Sequence, residues 1–137
     1  MSTVSELDDI RRQYESGQLD SIKEDLSRFI CAHKSRILEY RSGEEKKGLA
    51  LPEEAAIKFY LLRYRSINPQ KEIKEQLEEI KKETWIRGIR MGSAPNAEEV
   101  ALEWAKKHSS AWREHRVTTI VYVFEQDKAR YCDLLKT

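Results

Sequence analysis

Positive charge and planar rings coincide in one stretch of this chain. The run Trp85-Ile-Arg-Gly-Ile-Arg-Met-Gly sets an indole beside Arg87 and Arg90 around a glycine-bounded turn, and Lys106, Lys107, His108, Trp112, Arg113, His115 and Arg116 follow. From Trp85 to Arg116, six lysines or arginines stand against four glutamates, with two of the three histidines added. A guanidinium grips a carboxylate or phosphate through two parallel hydrogen bonds, and an indole stacks on a base or packs on an apolar surface. The expected binding residues are therefore Trp85, Arg87, Arg90, Lys107, His108, Trp112, Arg113, His115 and Arg116. The same residue types have a structural use, in which Trp104 and Trp112 anchor a core and arginine stems lie along it.

Other chemistry needs more than the chain supplies. His108 and His115 share a helix face, but a zinc site needs four protein ligands, or three plus water, and Glu114 is out of phase with both. Gly88 and Gly92 lack the spacing of a phosphate-binding or dinucleotide-binding loop. Cys31 lies two residues from His33, and such neighbours on a helix point apart, so nucleophile and base do not meet. Cys31 and Cys132 are far apart in sequence, with no disulfide framework or zinc pattern, and both are expected to be buried thiols. No catalytic residue, metal or cofactor is expected.

One spacing points elsewhere. Arg28-Phe-Ile-Cys-Ala-His33 has the Arg-x4-His pattern and resembles the active site of the helical HEPN ribonucleases over these six residues. The resemblance implies an all-α fold in which Arg28 stabilises a phosphate and His33 transfers a proton across a dimer. His33 also falls on the inward stripe of its own helix, where it has a purely structural use.

The elements that must position these groups read as helices. The chain has 137 residues, a size at which one hydrophobic core suffices, so a single helical domain over 1–137 is expected. Charged residues make up 36% with five glycines and three prolines, a composition of long solvated helices and not of a β-sandwich. Lysine and arginine (25) nearly cancel aspartate and glutamate (24), so little counterion release is available to drive nucleic-acid binding. The N-terminal run lacks the positive start and apolar stretch of a secretory signal, and no segment reaches the roughly 18 apolar residues of a membrane span, so a cytoplasmic location is expected.

Capping-box spacings at Thr3/Glu6 and Ser21/Glu24 open a first helix ending near Gly17 and a second ending near Ser42. The second carries Ile22, Leu26, Phe29, Ile30, His33, Ile37 and Tyr40 on one stripe. An exposed loop is expected from Gly43 to Leu51, after which Pro52 opens a third helix. Apolar residues surround that helix, so it should be the most buried element. Asn68-Pro69 caps a fourth helix ending near Gly88, with Ile73, Leu77, Ile80 and Thr84 as its stripe. Asn96 caps a fifth, with Val100, Ala101, Trp104, Ala105 and His108 inward and an interruption at Ser109-Ser110.

Val117–Phe124 favours a strand by local propensity but is read as helix, because one strand has no partner to pair with. The fold class expected is all-α, an irregular bundle or orthogonal array of five to six helices. The function expected is a non-enzymatic interaction module that binds a protein partner or a second copy of itself, with no membrane contact. Nucleic-acid binding through the Trp85–Arg116 patch and the HEPN-like ribonuclease are the alternatives.

Overall fold

Helical hydrogen bonding accounts for nearly the whole backbone of the computed structural model, which describes residues 3–136, with side chains from Ser5 onward. The helices are α1 (Thr3–Glu15), α2 (Asp20–Ala32), α3 (Lys34–Lys46), α4 (Glu53–Tyr64), α5 (Pro69–Met91), α6 (Ala97–Gln126) and α7 (Lys128–Asp133), and a 3-10 turn, Leu134–Lys136, follows. No strand occurs among the described residues, and Val117–Phe124 is helical. The fold is all-α, with seven α-helices among the described residues where five or six are expected.

Two corners account for the difference. The expected second helix turns at His33 (φ −103°, ψ 11°), whose N–H still donates to Phe29 O at 2.9 Å and whose carbonyl accepts from Ile37 N at 2.9 Å. At the other end, Asp127 (φ −145°, ψ 47°) separates α6 from α7. The interruption expected at Ser109-Ser110 does not occur. Ser109 Oγ donates to Ala105 O at 2.6 Å, so its hydroxyl is satisfied inside the helix and does not compete with it.

The local end signals hold at some boundaries and shift at others. Asn68 accepts from Lys71 N at 3.2 Å with Pro69 in the first turn, and Asn96 accepts from Glu98 N and Glu99 N. Gly92, at φ 67°, closes α5 in the left-handed conformation that glycine adopts freely, three residues beyond the expected end. α2 begins at Asp20 with Leu19 as its cap, so Ser21 lies inside the first turn and not at the expected helix start. The expected capping role of the Thr3 side chain lies outside the described residues. α3 runs through Gly43 to Lys46, which shortens the expected loop. Arg41 Nε then donates to Leu51 O at 2.8 Å, holding the shortened loop against the helix while Leu51 is buried.

By packing, the chain divides into two compact units, one formed by residues up to Ile67 together with Val117 onward, the other by Asn68–Arg116. In the first unit, Ile10, Leu26, Ile30, Ile37, Ile57, Val123, Phe124 and Tyr131 share one core and have almost no solvent contact. Full burial of such side chains contributes roughly 1.5–3 kcal/mol each, enough to override the strand propensity of Val123 and its neighbours. α4 is not the most buried element. It covers Ala56, Ile57 and Leu61 but leaves Phe59, Leu62 and Tyr64 exposed, whereas α2 buries five residues. Cys31 is exposed, not buried as expected, because it faces away from the Leu26/Ile30 stripe. Cys132 is half-buried, and desolvation raises the pKa of its thiol. No described helix is long and apolar enough to cross a membrane.

Candidate functional site

The expected binding residues all lie in the second unit, on α5 and the first part of α6. Two of its arginines are held by intramolecular ion pairs. Arg87 Nε donates to Glu83 at 3.1 Å and its Nη2 to Glu103 of α6 at 2.7 Å. The bond to Glu103, then that to Glu83, raises the Arg87 pKa, and the reciprocal bond from Arg87 lowers that of Glu103. Arg116 pairs with Glu75 of α5 and lays its guanidinium over the Trp112 ring at 4.9 Å. These two arginines fasten the helices to each other, so they are less available to a ligand than their sequence context suggests.

The remaining candidates face solvent to different degrees. Trp85 and Arg90 are exposed on α5, and Lys107, His108, Arg113 and His115 are exposed on α6, while Trp112 is half-buried. Arg90 and Arg113 have no ion pair among the described residues. The His108 ring lies 6.0 Å from that of Trp104, which is buried with Val100. Ala105 and His108 are exposed, so the inward face expected of this helix is narrower than five residues.

The apolar residues of α5 depart furthest from expectation. Exposed positions recur as pairs every four residues, at 73–74, 77–78, 81–82, 85–86 and 89–90. The first members are Ile73, Leu77, Lys81, Trp85 and Ile89, whose four apolar side chains are 58%, 51%, 70% and 62% exposed, and the line they form winds around α5 by about 40° per step. Glu72, Gln76, Glu83 and Arg87 are instead covered or half-covered. Ile73 and Leu77 therefore do not face inward. The pairs Arg87–Glu103 and Arg116–Glu75 both link the polar side of α5 to α6. The strict four-residue spacing is visible in the sequence, but which side of α5 is covered is not.

A second group of polar aromatics sits in the first unit. His33 stacks on Phe29 at a ring separation of 4.1 Å, and its Nδ1 is 2.7 Å from the Tyr60 hydroxyl. Tyr40, Tyr60, Tyr64 and Arg63 line an open depression of about 250 Å³ beside it. Desolvation, and secondarily the charge of Arg36, lower the His33 pKa. Arg28 turns elsewhere: it is well exposed and 3.7 Å from both Glu24 and Asp25. The two residues of the Arg-x4-His pattern thus turn to different neighbours.

The chain matches no protein-family model, no curated protein and no solved structure. Among the described residues, no group of three or more His, Cys, Asp or Glu is placed to hold a metal ion. What the second unit offers is a surface: an indole and three aliphatic side chains in a row, bordered by cations.

Proposed function

We propose that this chain is a non-enzymatic helical module that binds a partner protein through α5, with Trp85 as its anchor. The observation that supports this reading is the exposed row Ile73, Leu77, Trp85 and Ile89 on a helix whose polar side is covered. Leaving apolar surface in water costs roughly 25 cal/mol per Å², and neighbouring exposed apolar side chains such as Trp85 and Ile89 mark an interaction site more often than isolated ones do. Tryptophan and arginine are the side chains most often found to dominate binding energy, and Trp85 with Arg90 supplies both beside the row.

The test compares proteins retained by the immobilised wild-type chain with those retained by Trp85→Ala/Ile89→Ala. A specific partner is kept by the first and lost by the second, with circular dichroism spectra unchanged because both side chains are solvent-facing. Retention of the same set by both chains would remove the reading.

A further inference from the structure

We infer that the depression lined by Tyr40, Tyr60, Arg63 and Tyr64 is a binding site for a small planar aromatic carboxylate. It lies wholly within the first unit and is independent of the protein-binding reading of α5.

Rings define the shape. Tyr60 and Tyr64 stand one turn apart on α4, their planes within 18° of parallel and their centroids 5.8 Å apart, and Tyr40 of α3 is set at 63° to Tyr60 at 6.5 Å. Aromatic pairs attract at centroid separations of about 4.5–7 Å in offset-stacked or edge-on arrangements, so a flat ring laid beside this corner gains both kinds of contact. The wall is ordered before any ligand arrives. Phe29 and His33 meet Tyr64 in T-shaped contacts at 5.2 and 4.9 Å, and the Tyr60 hydroxyl is fixed 2.7 Å from His33 Nδ1. Side chains already held in place lose little rotamer freedom on binding. The depression holds about 250 Å³, just under the roughly 300–1,000 Å³ of pockets for drug-sized ligands, which limits the occupant to one or two rings.

Charge then chooses among flat ligands. Clusters of aromatic faces commonly take quaternary ammonium groups. Here the Arg63 guanidinium already lies over the Tyr40 ring, 5.9 Å from its centroid, and among the described residues no carboxylate lines the depression. Arg63 is exposed and has no ion pair among the described residues, and the charge of Arg36 reaches the neighbouring His33. A cationic ligand therefore meets like charge, whereas a carboxylate meets a guanidinium able to bind both of its oxygens. One lining cation matches one negative charge, which selects a carboxylate over a phosphate dianion.

The probe is naphthoate, compared with the neutral naphthamide and with naphthyltrimethylammonium. Nuclear magnetic resonance follows the tyrosine ring signals and the Arg63 Nε–H through each titration. Naphthoate is expected to shift Tyr40, Tyr60, Tyr64 and Arg63 saturably and to bind about tenfold or more tighter than naphthamide, the scale of one charge-assisted hydrogen bond. Arg63→Gln should abolish that preference with the circular dichroism spectrum unchanged, because the side chain is solvent-facing. Tyr64→Leu should weaken both ligands by about threefold or more, the scale of one lost ring pair, and leave the preference in place. The inference is overturned if naphthoate gives no saturable shift at these residues, or if naphthamide or naphthyltrimethylammonium binds as tightly. It also falls if Arg63→Gln retains the preference, or if the shifts centre on Trp85 instead.

Discussion

The His33 Nδ1 lies 2.7 Å from the Tyr60 hydroxyl, joining the corner between α2 and α3 to α4. Burial, then the charge of Arg36, holds the His33 pKa below its ordinary 6.5. The folded state therefore binds fewer protons at this residue than the unfolded chain does below pH 6.5, so stability falls as the solution is acidified from that value toward the folded pKa. Urea midpoints measured between pH 7 and pH 5 are expected to decline less in His33→Gln than in the wild type. Tyr60→Phe at neutral pH should cost about 0.5–1.5 kcal/mol for the lost hydrogen bond. Parallel declines in His33→Gln and the wild type would place the acid sensitivity elsewhere.

Tyr131 shows the same linkage at the other end of the pH scale. It is buried against Phe124, their rings 5.9 Å apart, and desolvation pushes its pKa up to about 12. Because the folded pKa exceeds the unfolded value of about 10, its contribution is complete below pH 10 and is lost as pH rises through about 12. In an ultraviolet titration of tyrosinate, Tyr131→Phe should remove the last phenol to ionise. It should also flatten the alkaline loss of stability.

Two leucines separate core from surface. Leu26 has no solvent exposure, whereas Leu77 is 51% exposed. Leu26→Ala is expected to destabilise by about 2–5 kcal/mol, through lost transfer energy and the cavity left behind. Leu77→Ala should stay within about 0.5 kcal/mol of the wild type, as surface substitutions do. Denaturant midpoints decide it, and a large loss in Leu77→Ala would mean that the α5 row is covered in solution.

Arg87 links α5 to α6 through Glu103 at 2.7 Å. The Glu103 pKa is depressed by the bond from Arg87, so the linkage is present above the ordinary carboxylate value and is lost as pH falls through the folded one. Amide exchange in α5 and in residues 97–116 should therefore accelerate in Arg87→Gln at neutral pH, while exchange in the core around Leu26 stays unchanged. Lowering the pH should shrink the difference between variant and wild type. Equal protection of α5 in both proteins would show that apolar packing alone holds these helices.

The sequence by itself determined the all-α class and several helix boundaries, because these follow from interactions within a few residues. Asn68 with Pro69, Asn96 and Gly92 each act on their own helix end, and the stripe Ile22, Leu26, Phe29, Ile30 and Ile37 buries as its period requires. It also singled out Trp85, Arg90 and Arg113 as exposed candidates for contact. Tertiary structure decided what depends on partners distant in the chain. The corner at His33 is accompanied by contacts to Tyr60 and Tyr64 on α4, and Val123 and Phe124 stay helical inside a core built from α1 to α4 and α7. On its covered side α5 pairs Arg87 with Glu103 and Glu75 with Arg116 of α6, contacts that no local periodicity encodes. A hydrophobic stripe indicates that a helix has an apolar face, but contacts with elements distant in the chain decide whether that face is covered, and here Ile73, Leu77, Trp85 and Ile89 stay exposed.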